Sequence, residues 1–275
     1  MLITKNTQLC MSLAARPGNL GTLFQNYLYQ KLRLDYIYKA FTTQNLEDAI
    51  KGIKALGIRG CAISMPFKED CIAFLDELDH SANTIQSVNT IVNTDGVLKG
   101  YNTDYIAVEQ LLKKNKINSN LSFALRGNGG MAKAVLAALA NNGFKKGTVV
   151  CRNRELGEKL AQEYGYSAQL DTQPVEADFL INATPIGMSG GKEAHDLSFH
   201  AEAIAQAQIV FDVVATPVET PLLQEAKEQK KHTITGSDVA VIQSLEQFVL
   251  YTGVRPLKTD ILEAREYTNS KLKTL

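Results

Sequence analysis

The sequence lacks any surplus of charge: Lys and Arg number 29, Asp and Glu number 29, and the formal net charge over 275 residues is zero. It has no long run of one sign, which argues against an extended nucleic-acid surface and against a polybasic membrane anchor. An ordered basic–aromatic stripe is also missing, so a nucleic-acid-binding module is disfavoured. Cysteine is scarce. Cys10, Cys61, Cys71 and Cys151 are scattered through mostly apolar segments without a CxxC pair, and they read as reduced, mostly buried thiols. The 4 histidines are dispersed, without metal-ligand spacing, so no metal is expected. No apolar run reaches membrane-spanning length, and "MLITKNTQLCMSLA" lacks the basic start and sustained apolar region of a secretory signal. The expectation is a soluble cytoplasmic protein with neither a nucleic-acid nor a membrane partner. Internal repeats and low-complexity tracts are absent as well.

What is there is an alternation of strands and helices in two parts. "TQLCMSLA", "LDYIYKAFT" and "IRGCAIS" read as strands, with "LGTLFQNYLYQKL" and the amphipathic "NLEDAIKGIKALG" as helices between them. After Pro66 ends the third strand, "FKEDCIAFLDEL" has helical spacing, with Phe67, Cys71, Phe74 and Leu75 on one face. This predicts Lys68 in the first turn of a helix, where the positive dipole end disfavours an ammonium. Asp95-Gly96 predicts a hairpin, and "YIAVEQLLKKNKI" a helix leading away from this part. A more regular pattern follows from "NLSFALRGNGGMAKAVLAALANNGF" through "GTVVCRNRE", "DFLINATPIGM" and "QIVFDVVATP" to "TITG". Short apolar strands separated by helices predict a mostly parallel, twisted sheet with helices on both faces. Two helices, "SDVAVIQSLEQFVLYTG" and "ILEAREYTNSKLKTL", close the chain.

The clearest chemical signal is "LSFALRGNGGMAKAV". An apolar strand runs into Gly127, Asn128, Gly129, Gly130 and Met131 and then into a helix of small residues. Glycines there permit a tight turn and close approach of backbone donors to a pyrophosphate, and the helix start offers unpaired amides and positive dipole. The pattern is not a full GxGxxG; Ala132 or Ala134 stands in for the last glycine in allowing close packing. The next strand ends in Arg152, Asn153 and Arg154, where an NAD-selective fold places an acidic residue for the ribose hydroxyls. Two guanidiniums there suit a 2′-phosphate instead, which favours NADP as cofactor.

Taken in order, "ISMPFKED", "SVNTIV", "GYNTD", "GNGGMAKAV", "INATPIGM", "TPVETPLL" and "GSDVAVIQSLEQF" resemble the shikimate dehydrogenases, including their quinate/shikimate and shikimate-dehydrogenase-like branches. The resemblance covers nearly the whole chain. It implies an α/β protein of two α/β domains separated by a cleft: a substrate-binding and catalytic domain over 1–103 and a Rossmann-like NADP-binding domain over 104–236. The C-terminal helices of 237–275 would return to the first domain. It implies acid–base roles for Lys68 and Asp104 at the reacting hydroxyl, where an amine exchanges the proton and a carboxylate orients it. Asp104 has a second reading as the N-cap of a helix beginning near Tyr105. Ser64, Asn89 and Gln243 match substrate-binding positions. Thr184, Pro185, Val213 and Gly236 fall in the later cofactor-side segments.

Departures from the family pattern concentrate where substrate identity is decided. The serines that hold the substrate carboxylate correspond to Asn19, which can donate, and Gly21, which cannot; Arg16 is an alternative partner for that charge. Ala215 replaces a tyrosine, Tyr105 replaces a glycine and puts bulk near the cleft, and Cys151 replaces an asparagine before Arg152. The implied function is an NADP-dependent oxidoreductase acting on shikimate or a related hydroxylated cyclic carboxylic acid. The alternatives are a quinate/shikimate-type dehydrogenase that also uses NAD, and a non-catalytic nucleotide or metabolite sensor on the same fold. Retention of Lys68 together with Asp104 argues against the sensor.

Overall fold

The computed structural model describes residues 2–272 and 274. The chain divides into two compact units: one runs to Thr103 and resumes at Val241, and the other spans Asp104–Ala240.

The first unit is built on a mixed sheet of β1 (Gln8–Leu13), β2 (Tyr36–Phe41), β3 (Gly60–Ile63), β4 (Glu77–Leu78), β5 (Thr90–Thr94) and β6 (Val97–Tyr101). Its order is β2-β1-β3-β5-β6-β4. β1 runs parallel to β2 and β3, whereas β5 runs antiparallel to β3 and β6. The hairpin between β5 and β6 pairs Thr94 with Val97. Only Asp95 and Gly96 lie between them, at φ 51° and 87°, the left-handed region a two-residue hairpin turn demands. Helices α1 (Leu20–Lys31), α2 (Leu46–Ala55) and α3 (His80–Ile85) belong to this unit.

The sheet is buried on both faces, and successive residues feed opposite cores. Met11, Cys61 and Ile91 pack with Ile50 and Ile53 of α2. Cys10 and Val92 face the other way, among Phe24, Leu28, Tyr29, Phe248, Tyr251 and Ala264. That second core is closed by the C-terminal helices, so the approach is tight: a Cβ at Gly60 would lie 2.2 Å from the Tyr251 ring.

The helix expected over 67–78 does not form. Asp70–Phe74 is a short 3₁₀ helix, and Glu77–Leu78 is drawn into the sheet beside β6. Asp76 N–H donates to the Leu98 carbonyl at 3.0 Å, and the Asp76 carboxylate accepts from Leu98 N–H at 2.7 Å. These bonds pull the backbone out of helical geometry, while Cys71 still buries and Phe67, Phe74 and Leu75 still pack on the core. Lys68 therefore does not open an α-helix, and no helix macrodipole acts on it in the way the spacing implied.

The second unit carries α4 (Thr103–Lys114) at its start, α5 (Gly130–Asn141), α6 (Arg154–Glu163), α7 (Ala201–Gln206) and α8 (Pro221–Glu228). Its strands are β7 (Phe123–Arg126), β8 (Gly147–Cys151), β9 (Ser167–Leu170), β10 (Phe179–Asn182), β11 (Ile209–Asp212) and β12 (His232–Thr235). Every pairing is parallel, in the order β12-β11-β10-β7-β8-β9. The order reverses between β7 and β10, the switch point at whose carboxyl ends doubly wound sheets hold their ligands. Long α9 (Gly236–Thr252) carries the chain back to the first unit, and α10 (Lys258–Leu272) ends it.

Candidate active site and dinucleotide site

In the first unit, main-chain hydrogen bonds gather several expected residues at the carboxyl ends of β1 and β3. Ser64 N–H donates to the Leu13 carbonyl at 3.0 Å, and Phe67 N–H donates to the Ser64 carbonyl at 3.0 Å around a cis Met65–Pro66 bond. The Lys68 carbonyl accepts from Val88 N–H at 2.8 Å, and the Asn89 carbonyl accepts from Ile63 N–H at 2.8 Å. Ser64, half-buried Lys68 and Asn89 thus have their backbones tied to one another's segments.

Asn89 is the centre of a buried polar network, at 1% exposure. Its Oδ1 accepts from Thr103 N–H at 2.8 Å, Thr103 Oγ1 at 3.1 Å and Thr90 Oγ1 at 2.8 Å. Its Nδ2 is buried without a partner among the described residues. A buried donor left open costs about 1–3 kcal/mol, so it calls for an explanation. Gln247 on α9 donates to Thr90 Oγ1 at 3.0 Å and to the Asn89 carbonyl at 3.3 Å. Gln243 stands one turn earlier on the same helical face and is half-buried. Gln247, Thr90 and Thr103 were not expected from the sequence. The spacing of the two glutamines on α9 was the available signal.

Asp104 is buried in the first turn of α4. The helix starts at Thr103, so Asp104 is not its N-cap as the sequence suggested; its charge there still complements the helix dipole. Asn19 and Arg16 are exposed in the loop after β1. Asn19 precedes α1 without a side-chain cap bond. Ala15 N–H, in the same loop, donates to the Met65 carbonyl at 3.3 Å, which ties this loop to the Ser64 turn.

The second unit holds the glycine loop as expected. Gly127 has φ +129°, and a Cβ there would lie 2.8 Å from the Ala183 carbonyl oxygen, so only glycine fits. Cβ atoms at Gly129 and Gly130 would meet nothing within 4 Å, which leaves the loop's outer side open. Gly129 precedes α5 and has no side chain with which to cap the helix's first amides. Exposed Asn128 and half-buried Met131 flank these glycines. A cavity of about 310 Å³ is lined by Gly127, Asn128, Arg152, Asn153, Thr184 and Pro185, and also by Glu193. A neighbouring cavity of about 350 Å³ lies beyond Arg126 and Asp171. It contains none of the glycine loop, so its slightly larger size carries less weight than the chemistry of the first.

Asn153 caps α6, its side chain accepting from Leu156 N–H at 3.1 Å. Arg154 is exposed and pairs with Glu158 at 2.8 Å. Arg152 pairs with Glu193 and lies 3.8 Å from Asp171, which also pairs with Arg126 at 2.7 Å. The strand end is therefore less purely basic than its sequence: Glu193 arrives from a distant loop with no local signal.

Thr184 is held by Asn182, whose Oδ1 accepts from Thr184 N–H at 3.1 Å and from its hydroxyl at 2.6 Å. Asn182 in turn donates to Asp212 at 3.0 Å, and Asp212 also accepts from Val214 N–H at 3.0 Å and Thr220 Oγ1 at 2.6 Å. Burial pushes the Asp212 carboxyl up to about 6, against the hydrogen bonds that pull it down. Gly236 is fixed by packing: a Cβ would lie 2.3 Å from the Val213 carbonyl group. Among the described residues, no group of three or more His, Cys, Asp or Glu could hold a metal ion. No helix among them is long and apolar enough to cross a membrane.

A family model described as the shikimate dehydrogenase substrate binding domain matches residues 20–91. A shikimate dehydrogenase-like protein of Haemophilus influenzae is 54% identical over 98% of this chain and 100% of its own length. The chain belongs to the shikimate dehydrogenase family. Its branch is the divergent, shikimate dehydrogenase-like one. A solved structure of a shikimate 5-dehydrogenase-like protein superposes with a TM-score of 0.95 at 54% identity, covering 98% of this chain and 100% of that one. The Thermus thermophilus shikimate 5-dehydrogenase, solved with NADP(H) and shikimate, gives a TM-score of 0.83 at 27% identity over 95% and 99% of the two chains.

Against this family's pattern, the departures prove unequal in effect. Tyr105 is buried, its hydroxyl accepting from Asn141 Nδ2 at 2.7 Å, so its bulk goes into the packing against α5. Cys151 turns its sulfur toward the Gln169 carbonyl at 3.4 Å, and a Cβ at Gly157 would lie 2.1 Å from that sulfur. This cysteine serves close helix packing. Ala215, half-buried, follows Val214 in the loop that Asp212 anchors.

Proposed function

We propose that this shikimate dehydrogenase-like protein is an NADP-dependent oxidoreductase. It interconverts a secondary alcohol and a ketone on shikimate and 3-dehydroshikimate, or on a closely related hydroxylated cyclic carboxylic acid. The observation that carries the reading is the buried, unpartnered Nδ2 of Asn89, a residue whose backbone is tied to the segments that carry Ser64 and Lys68. A substrate hydroxyl would satisfy that donor, and selectivity for hydroxylated rings follows because an apolar analogue leaves it unmatched.

In this reading Lys68 accepts the hydroxyl proton as the alcohol is oxidised and returns it in the reverse direction, with Asp104 supporting the charge. Ser64, Asn89 and Gln243 bind the ring hydroxyls, and Asn19 or Arg16 receives the carboxylate. The nicotinamide, when bound, accepts or gives the hydride. The residues of this chain fit such a dinucleotide. Gly127–Met131 offer an open backbone cradle to the pyrophosphate, and Arg152 and Arg154 suit the 2′-phosphate. Asn153, Thr184, Pro185, Val213 and Gly236 would shape the walls.

The second reading, a quinate/shikimate-type dehydrogenase that also accepts NAD, is favoured by the pairing of Arg152 with Glu193. A panel of shikimate, quinate, dehydroshikimate and hydroxycyclohexane or hydroxycyclohexene carboxylates, assayed with NADP and with NAD, tests both. Turnover should be found with a member of this panel and faster with NADP. Binding without any hydride transfer would refute the enzyme and leave a metabolite sensor.

A further inference from the structure

We propose that Glu193 is a specificity-determining residue of the dinucleotide site. Its carboxylate occupies the Arg152 guanidinium that a 2′-phosphate would claim, so NADP is preferred over NAD less than two strand-end arginines alone would allow. This rests on the cofactor reading above and adds a residue to it.

Glu193 is placed by its backbone. Its carbonyl accepts from Gly187 N–H at 2.9 Å and from Asp196 N–H at 3.2 Å. The same loop is tied down where Ser189 N–H donates to the Thr216 carbonyl at 3.0 Å. Glu193 thereby lines the cavity that holds Gly127, Asn128 and Arg152, and its carboxylate pairs with Arg152.

Charges alternate along this wall. Arg126 pairs with Asp171 at 2.7 Å, Arg152 lies 3.8 Å from the same carboxylate, and Glu193 closes the series. The series is balanced before any ligand arrives. A 2′-phosphate, carrying close to two negative charges, must displace Glu193 from Arg152 or sit beside it. A ribose 2′-hydroxyl meets the reverse situation, because a carboxylate accepts its hydrogen. The Arg152 side chain is 64% exposed and that of Glu193 35% exposed. Solvent therefore screens the pair, which is weak enough for an incoming phosphate to break it. The penalty falls on affinity and does not abolish binding.

The test is calorimetric titration of NADP and NAD into the wild-type protein and into Glu193→Gln, with Glu193→Ser as a second variant. Removing the charge should tighten NADP about tenfold and change NAD by less than about threefold, toward weaker binding. The gain should shrink at high salt. In an Arg152→Gln background the same substitution should improve NADP by a distinctly smaller factor, because the competition for that guanidinium is gone. An equal gain for both cofactors, or an undiminished gain without Arg152, overturns the inference. No gain while both cofactors still bind overturns it and leaves the cofactor reading standing. Failure of every form to bind either dinucleotide overturns both.

Discussion

Replacing Asn89 separates its structural work from its proposed work on substrate. In Asn89→Ala, Thr103 N–H loses its acceptor at 2.8 Å, and the hydroxyls of Thr103 and Thr90 lose theirs at 3.1 and 2.8 Å. The main-chain donor cannot turn elsewhere and costs about 1–3 kcal/mol, whereas each hydroxyl can rotate and costs about 0.5 kcal/mol. The sum is about 3 kcal/mol, or a fall in Tm of roughly 6–12 °C for a chain of this size. Asn89→Asp keeps the acceptor, and its three donors offset the desolvation of the charge. Only the open Nδ2 donor is lost. Thermal unfolding should therefore show the alanine variant well below wild type and the aspartate variant within a few degrees of it. Both should lose about tenfold or more in kcat/KM for the substrate that the panel identifies. Wild-type kcat/KM in a folded Asn89→Asp protein would refute the assignment of that donor to substrate. An alanine variant as stable as wild type would refute the network's structural role.

Lys68→Ala should lower single-turnover hydride transfer by roughly 10²–10⁴-fold with NADP affinity nearly unchanged. Asp104→Asn should also slow it, and the double variant should lose less than the product of the two; wild-type hydride transfer without Lys68 would rule out its role. Restoring serine at Asn19 and Gly21 should raise kcat/KM for shikimate if these positions face its carboxylate. A Cβ at Gly21 would stand 3.4 Å from Tyr38 Oη, so the change needs only a small adjustment; no improvement in a folded variant would make Arg16 the better candidate. Burial raises the Asp212 carboxyl from 3.8 to about 6, so the native state holds its proton across that window while the unfolded state releases it. Stability should fall by about 2–3 kcal/mol as pH rises from about 4 to 6, and Asp212→Asn should remove that slope in denaturant unfolding. An unchanged slope would refute the assignment.

The parts of this protein that the sequence revealed are those specified locally. Asp95-Gly96 names its own turn, and Gly127 is demanded by a positive φ and a carbonyl 2.8 Å from its missing Cβ. The inner strands β7, β10 and β11 of the second unit appear as a parallel sheet because they are buried along nearly their whole length and do not alternate for solvent. What escaped was decided by distant partners. The periodicity over 67–78 was real, and its apolar residues are packed, yet hydrogen bonds from Asp76 to Leu98 in another strand chose the backbone. Tyr105 was expected to crowd the site, but Asn141, 36 residues on, takes its hydroxyl. Glu193 reaches Arg152 across 41 residues, with no motif to announce it. Gln247 supports Asn89 from 158 residues away.

The division of the chain also bears on the order in which it folds during synthesis. The unit spanning Asp104–Ala240 is one continuous stretch, so a nascent chain holds all of it before residues beyond Val241 emerge. The other unit is split, and its second piece includes Phe248, Tyr251 and Ala264, which pack on Cys10, Leu28 and Tyr29. Until that piece leaves the ribosome, this face of the first sheet is covered only by α1, through Phe24, Leu28 and Tyr29, although its strands were made first. The nascent chain thus leaves the apolar side chains that Phe248, Tyr251 and Ala264 will cover exposed through the synthesis of the whole second unit, the kind of surface that chaperones bind. Translational pausing late in the message would lengthen that exposure, and a shortened C-terminus would make it permanent.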